Sequence, residues 1–216
     1  MPKVRRLLAE WLCPELRHEA GEDPLTGALN KRADDVATTR AVAERSSHVS
    51  LLRLRADLDN FKTLNDEHGH QAGDRALCAV YRALVEATRD VDVISLARPG
   101  GDEFALTLRV SEDAHPALIR DRIEDAVNRA LALVVRREAW HVPVGISIGY
   151  ARLQGATTAQ RLDAAADEAT QQRKIARGLS RPRHSPDPAR AQRFIMSDPA
   201  AVDQHGTTRG EDDRAR

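Results

Sequence analysis

The sequence predicts an α+β fold in which helices flank an antiparallel-centred sheet. Two strand-like runs are joined by a Gly-Gly turn, which is typical of a hairpin. A third run alternates apolar and charged residues, and several segments repeat apolar residues at helical spacing. The predicted order of elements is helix, strand, two helices, two strands, helix, strand and helix.

Each predicted strand has its own pattern. The first runs from Val49 to Leu58, and its apolar and charged residues point to opposite sides. The apolar side holds Leu52, Leu54, Ala56 and Leu58, and the charged side holds Arg53, Arg55, Asp57 and Asp59. The next two strands, Val91–Arg98 and Glu103–Val110, are joined by Pro99-Gly100-Gly101-Asp102. Val142–Arg152 is the fourth.

The predicted helices follow composition and apolar spacing. Four of the five have predicted ranges, which are Asn30–Arg45, Arg75–Thr88, Ala114–Glu138 and Thr158–Ala176. Asp74 stands where it would cap the second of them.

The chain has 216 residues, which suits one domain with accessory segments. Its 33 Lys and Arg balance 33 Asp and Glu, which argues against nucleic acid or an anionic membrane as the main partner. No run reaches the roughly 18 apolar residues of a membrane span. Cys13 and Cys78 form no motif and fit a reduced compartment, so we expect a cytoplasmic protein.

Three regions are predicted. Residues 1–22 form a short amphipathic helix that either packs on its own domain or makes a dimer contact. Residues 23–179 form the folded domain. Residues 180–216 hold several prolines and mixed charges, which is typical of a disordered tail.

Two acidic clusters are candidate metal sites. Asp57-Leu58-Asp59 ends a strand with both carboxylates on one face, where they are either Mg²⁺ ligands or a solvated acidic pair. Gly100-Gly101-Asp102-Glu103 lies at the hairpin tip, where it is either a close-approach site for phosphate or a plain tight turn.

The segment after the first strand offers groups for a nucleotide. Lys62 can neutralise a phosphate, and the backbone amides that begin a helix can bind one. Asn65 and Asp74 form a donor and acceptor pair of the kind that reads guanine. His68-Gly69-His70 has no third metal ligand near it in the sequence, and we interpret it as structural.

These motifs together resemble the GGDEF family of diguanylate cyclases. The resemblance rests on Asp57-x-Asp59-x-Phe61-Lys62-x-x-Asn65-Asp66-x-x-Gly69-His70-x-x-Gly73-Asp74 and on Arg98-x-Gly100-Gly101-Asp102-Glu103-Phe104. The opening segment Asp23–Arg32, the strand ending Ser147-Ile148-Gly149 and the helix with Ala166-Asp167 and Lys174 also fit in order and spacing.

The resemblance implies a palm-like fold of the nucleotide cyclase or ferredoxin-like kind, and condensation of two GTP into cyclic di-GMP with release of two pyrophosphates. It implies two Mg²⁺ per active site, or Mn²⁺, and a homodimer in which two domains face each other. A regulatory protein of unknown identity is a further expected partner.

The family's site residues carry over by position. Asp57, Asp102 and the carbonyl of Leu58 would hold metal, and Glu103 would help with the second metal or with activation of the 3′-hydroxyl. Guanine would lie against Asn65 and Asp74. The remaining substrate contacts would come from Asn60, Phe61, Lys62, Arg98 and Lys174.

Some positions depart from the family. Pro99 and Gln171 replace aromatic residues, and the Gly-Arg after the lysine is reversed as Arg177-Gly178, which leaves one phosphate contact unassigned. Arg53 and Arg55 replace apolar residues, which either exposes that face of the strand or adds charge directed at phosphate.

The family's product-inhibition pair is displaced along the chain. Arg89-x-x-Asp92 lies two residues further from Gly100 than is usual, a shift of roughly 7 Å along a strand. The pair is either an inhibitory site or a surface ion pair.

An active cyclase is therefore the first functional hypothesis. A domain that binds GTP or cyclic di-GMP as a receptor is the second, and an interaction protein with incidental chemistry is the third. The presence of Asp57, Asp102 and Glu103 favours the cyclase.

Overall fold

The structure is a computed structural model that describes residues 21–44, 49–88, 91–153 and 157–179. The predicted tail and residues 1–20 of the predicted N-terminal helix lie outside these ranges.

Five helices and four strands follow one another in the predicted order. They are α1 (Lys31–Ala43), β1 (Val49–Asp59), α2 (Phe61–His68), α3 (His70–Ala87), β2 (Asp92–Gly100), β3 (Glu103–Ser111), α4 (Pro116–Arg137), β4 (Gly145–Arg152) and α5 (Ala159–Ala176). The strands form one sheet in the order β2-β3-β1-β4, and every neighbouring pair is antiparallel. The predicted α+β fold is confirmed.

Most predicted boundaries lie within two residues of the observed ones, and two of them differ by three residues or more. Helix α3 begins at His70, so Asp74 lies within the helix and does not cap it, and Gly69 takes the N-cap position with φ of 79°. Strand β4 begins at Gly145 and not at Val142, because Pro143 has no N–H to donate to a ladder.

The main core lies on one side of the sheet. Leu52, Leu54, Ala56 and Leu58 of β1 are buried there, as the alternation predicted. Apolar residues of α3 and α4 complete this cluster, and they include Leu77, Val80, Leu84, Ile123, Val127 and Leu131. Burial of this side holds β1 in the centre of the fold.

Helices α1 and α5 cover the opposite side of the sheet. A small apolar cluster there joins Leu51 and Ala151 to Leu162 and Ala166 of α5. The charged side of β1 is therefore covered as well, and its Arg53 and Arg55 line a cavity beside the β2–β3 hairpin.

Arg53 shows the consequence, because the expectation that it exposes this face of the strand is wrong. Its side chain is 2% exposed and makes two hydrogen bonds to Asp34 of α1, at 2.8 and 2.6 Å. It also donates to Asp163 of α5 and to Thr107 of β3, each at 2.8 Å. Arg53 thus joins both covering helices to the sheet.

The described helices include none with the length and apolar character that crossing a bilayer requires.

Candidate active site

The sheet register brings the two acidic clusters together. Asp57 in β1 lies opposite Glu103 in β3, and the N–H of Leu58 donates to the carbonyl of Asp102 at 3.2 Å. The end of the strand and the tip of the hairpin, separate in sequence, therefore form one acidic site, as predicted.

The hairpin tip is held in place by Arg98. Gly101 has φ of 55°, a conformation that glycine adopts with little strain. The Arg98 guanidinium donates to the Gly101 carbonyl at 3.0 and 2.7 Å and contacts Asp23 at 3.1 Å. Asp23 in turn accepts from Thr26 within the opening segment. Arg98, predicted to contact substrate, is engaged in supporting the turn.

The electrostatics of Asp57 reflect a crowded acidic site. Burial raises the pKa of Asp57, and the negative charges of Asp102 and Glu103 raise it further. The Lys174 ammonium acts in the opposite direction, since it binds Asp57 Oδ1 directly. Together these effects leave the pKa of Asp57 above its ordinary value, which means that the ionised site calls for more positive charge than Lys174 supplies.

Asp59 has a different environment although it shares the same face of β1. It is buried, and the Ser147 hydroxyl donates to its two oxygens at 2.9 and 3.0 Å. Arg177 approaches it at 3.4 Å and also donates to Ser147 and to the Ile146 carbonyl. Burial raises the pKa of Asp59, while Ser147, Lys174 and Arg177 act against this rise. Its oxygens are occupied by the protein itself.

Glu103 pairs with Arg55 at 2.7 Å. The Arg55 side chain is mostly buried and also lies 3.7 Å from Asp163 and 3.9 Å from Asp167. Of the two alternatives for Arg55, added charge at the site is the one that agrees with this position. Sequence reasoning missed the pairing with Glu103, because it joins residues of different strands.

Helix α2 starts directly after β1 at the acidic site. Asn60 has φ of 62°, and its amide donates to the Pro143 carbonyl at 2.8 Å. This turn places the first backbone amides of α2, from Phe61 and Lys62 onward, beside the strand end that carries Asp57. Lys62 is exposed and makes no ion pair with a carboxylate of the described residues. Both positive features suit a phosphate chain.

Helices α2 and α3 approach closely at Gly73. A Cβ at this position would lie 2.1 Å from Asn65 Oδ1 and 3.0 Å from the Phe61 ring. Asn65 Oδ1 is buried and has no hydrogen-bond partner among the described residues. Asp74 follows Gly73 directly, so the two predicted guanine-reading residues lie on adjacent helices at their point of contact.

A cavity of about 410 Å³ lies against the hairpin. Its lining is largely charged and comes from α1, β1, the hairpin and α5: Lys31, Asp34, Asp35, Arg53, Arg55, Pro99, Gly100, Gly101, Asp102, Glu103 and Asp163. A small polar ligand with a counter-ion suits such walls better than an apolar one does.

Comparison with known proteins decides the family. The family model described as "Diguanylate cyclase, GGDEF domain" matches residues 20–178, which is most of the chain. The chain belongs to the GGDEF family.

Relatives of this GGDEF domain include Diguanylate cyclase DosC of Escherichia coli K12, which is 33% identical over 168 residues, covering 77% of this chain and 36% of DosC. The chain thus spans about a third of that relative's length. A sensory box/GGDEF family protein from Caulobacter crescentus CB15 has a similar structure, with a TM-score of 0.59 and 29% identity over 72% of this chain and 99% of that one. The structure of diguanylate cyclase SiaD from Pseudomonas aeruginosa, solved with its activator SiaC, has a TM-score of 0.58 and 26% sequence identity. The match covers 81% of this chain and 65% of the SiaD chain.

The displaced inhibitory pair of the GGDEF domain is only partly described. Arg89 lies outside the described residues. Asp92 accepts from Arg109 at 2.5 Å, and both side chains are about half exposed, at 54% and 50%. Asp92 therefore takes part in a surface ion pair, although with a different arginine from the one expected.

Proposed function

We propose that this chain is a Mg²⁺-dependent diguanylate cyclase that condenses two GTP into cyclic di-GMP and two pyrophosphates as a homodimer. The observation that carries the proposal is the approach of Asp102 and Glu103 to Asp57: Glu103 lies opposite Asp57 in the register of β1 with β3, and the negative charges of both residues raise the pKa of Asp57.

The donor set fits the metal. Asp57, Asp102, Glu103 and the Leu58 carbonyl offer oxygen atoms, which are the ligands that Mg²⁺ prefers, and Mn²⁺ accepts the same set. The raised pKa of Asp57 fits an acidic site that is completed by a cation. When bound, the metal would neutralise the triphosphate and stabilise the attacking and leaving oxygens of the displacement.

The chain's own residues would orient the nucleotide. Guanine would bind between Asn65 and Asp74, where Asn65 has a buried oxygen without a partner among the described residues. The amides that begin α2, together with Lys62, would bind the phosphates. Glu103 would accept the proton of the 3′-hydroxyl, with Arg55 holding its carboxylate toward the site.

The homodimer follows from the product. Cyclic di-GMP joins two nucleotides through two equivalent bonds, and we propose that each chain binds one GTP. Two chains must then face each other about a twofold axis, so that each 3′-hydroxyl reaches the α-phosphate bound by its partner. We also propose that residues 1–22, or a separate regulatory protein of the kind that SiaC is for SiaD, control this approach.

The test is product formation by purified protein with GTP and Mg²⁺, followed by chromatography. Asp102→Ala is expected to lower the rate by about a hundredfold or more, since it removes a group that stabilises charge in the transition state. Asp125→Ala removes an exposed carboxylate of α4 and serves as the matched control.

The dependence on protein concentration tests the homodimer. At low concentration the rate should rise more steeply than linearly, because dimers become a larger fraction of the chains. A strictly linear rise would contradict the dimer model. Binding of GTP without any product at high protein concentration would contradict the cyclase and favour a receptor.

A further inference from the structure

A group of three metal-binding side chains lies away from the acidic site. Glu67 and His68 end helix α2, and His141 lies in the segment between α4 and β4. One donor atom from each of the three lies within 4.8 Å of the other two. The sequence alone indicated no third ligand for the pair His68 and His70. In the structure, His70 is not part of the group, and His68 is joined by its neighbour Glu67 and by His141, which is distant in sequence.

The donor atoms have few competing partners. His68 Nε2 is buried and has no hydrogen-bond partner among the described residues, which is costly for an imidazole nitrogen unless a ligand completes it. The rings of His68 and His141 lie with their centroids 4.5 Å apart. His141 Nε2 in turn contacts the Glu67 carboxylate directly. The three side chains therefore already face one another.

We infer that Glu67, His68 and His141 form a binding site for a divalent transition-metal ion, of which Zn²⁺ is the best match. Two imidazole nitrogens and one carboxylate are a ligand set that Zn²⁺ accepts, and they leave a fourth position for water. Mg²⁺, which prefers an all-oxygen octahedron, suits this group poorly. The inference is therefore independent of the proposed cyclase metal.

The geometry permits closure around an ion. Tetrahedral bonds of about 2.1 Å separate donor atoms by roughly 3.4 Å, so no pair of donor atoms has to close by more than about 1.4 Å. His141 Nε2 and the Glu67 oxygen that it contacts would instead move apart. The His141 and Glu67 side chains are 70% and 42% exposed, which leaves them free to rotate. His68 is more enclosed and lies against Trp140, at 6.2 Å between ring centroids, so it would be the fixed ligand.

A bound ion would hold the C-terminal end of helix α2 in place. The Asn60 amide already ties the start of α2 to the Pro143 carbonyl, in the same segment that carries His141. The ion would tie the end of the helix to that segment as well. Because α2 also carries Lys62 and Asn65, occupancy would fix the helix that the proposed function assigns to GTP.

The experiment is isothermal titration of the full chain with Zn²⁺ in buffer that contains excess Mg²⁺. The Mg²⁺ saturates the carboxylate site, so the reading does not depend on cyclase activity. Wild-type protein should bind one equivalent of Zn²⁺. His68→Ala and His141→Ala should each lower the affinity for that equivalent by at least about tenfold, the loss typical of disturbed metal sites. His70→Ala is the matched control, since this exposed histidine lies two residues from His68 and outside the group.

Glu67→Gln keeps the inference testable if a histidine variant misfolds. Glu67 is partly exposed, and the amide preserves its shape while removing its charge. The Glu67→Gln variant should bind the same equivalent of Zn²⁺ with lower affinity, and its far-ultraviolet circular dichroism spectrum should be unchanged. The inference fails if Glu67→Gln and His141→Ala bind Zn²⁺ as wild type does, or if His70→Ala loses the equivalent to the same degree.

Discussion

The buried ion pair between Arg53 and Asp34 offers the sharpest test of how this fold is held together. Replacing Arg53 with Met keeps much of the length of the side chain and removes its charge and donors. Asp34, which is 1% exposed, would then lose two hydrogen bonds of 2.8 and 2.6 Å. Asp163 is 38% exposed and can turn to water, so the cost falls mainly on Asp34.

The expected loss is about 3–5 kcal/mol of unfolding free energy at neutral pH, the range for a buried charge that loses its partner. Ser95 and Thr38 would still donate to Asp34, but hydroxyl groups do not replace a cation. The loss is large beside the roughly 5–15 kcal/mol that stabilises an ordinary domain. It should therefore be visible in equilibrium unfolding.

The pH dependence gives the prediction its second part. Burial raises the pKa of Asp34, but the hydrogen bond and charge of Arg53 outweigh it, so the pKa lies below the ordinary 3.8. A lowered carboxyl pKa contributes stability that is present above 3.8 and is lost as the pH falls through the folded-state pKa. Without Arg53, burial dominates and raises the pKa, so Asp34 takes up a proton in mild acid. The difference between variant and wild type should then shrink as the pH is lowered.

Urea unfolding at about pH 7.5 and pH 5, followed by circular dichroism, measures both effects. Arg109→Met is the matched control, because Arg109 also pairs with an aspartate but both side chains are about half exposed. Such a surface pair is worth at most about 1 kcal/mol. The reasoning is refuted if Arg53→Met loses no more stability than Arg109→Met, or if its loss grows in acid.

Two further substitutions test the packing and the site. Gly149→Ala should lower the unfolding free energy by about 1–3 kcal/mol or more, because its Cβ would lie 2.1 Å from the backbone nitrogen of Thr170 in α5. Gly145→Ala on the same strand should cost less in the same urea titration, since its nearest contact is the Asn128 side chain at 3.1 Å. Asp57→Asn should abolish product formation yet not lower the unfolding free energy at pH 7, because the raised pKa means that the ionised carboxylate costs stability above that pKa. A loss above about 1 kcal/mol would contradict this account of Asp57.

The strands and the order of elements along the chain could be predicted because the relevant signals are local. Alternation in β1 and the Gly-Gly turn specify strand and hairpin within a few residues. The covering of the charged side of β1 could not be predicted in this way. It depends on Asp34 and Asp163, which lie 19 and 110 residues from Arg53 and belong to helices with weak apolar stripes. Ion pairs over such separations leave no period in the sequence.

The candidate site likewise has a part that could be predicted from the sequence and a part that could not. The resemblance to the GGDEF family implied that Asp57 and Glu103 would serve one site, and the register of β1 with β3 places them opposite each other. The partners that modulate them, Arg55 for Glu103 and Arg177 for Asp59, are set by side-chain packing between separate elements. His141 escaped notice for the same reason, since nothing in its local sequence marks it as a ligand.

The two aspartates of β1 have different partners, which bears on how a chain of zero net charge would bind the anionic substrate of the proposed cyclase. Asp59 has its oxygens taken by Ser147 and Arg177, so it can exchange partners only if the sheet edge is rebuilt. Among the described residues the Asp57 side chain has one partner, the Lys174 ammonium at its Oδ1. In the proposed cyclase, a cation bound to Asp57 would take the place of Lys174, and Lys174 would then pair with the triphosphate, so that neither positive charge would be left unpaired. Asp57 is thus better suited to the proposed chemistry than Asp59, because a single ion pair has to be exchanged there.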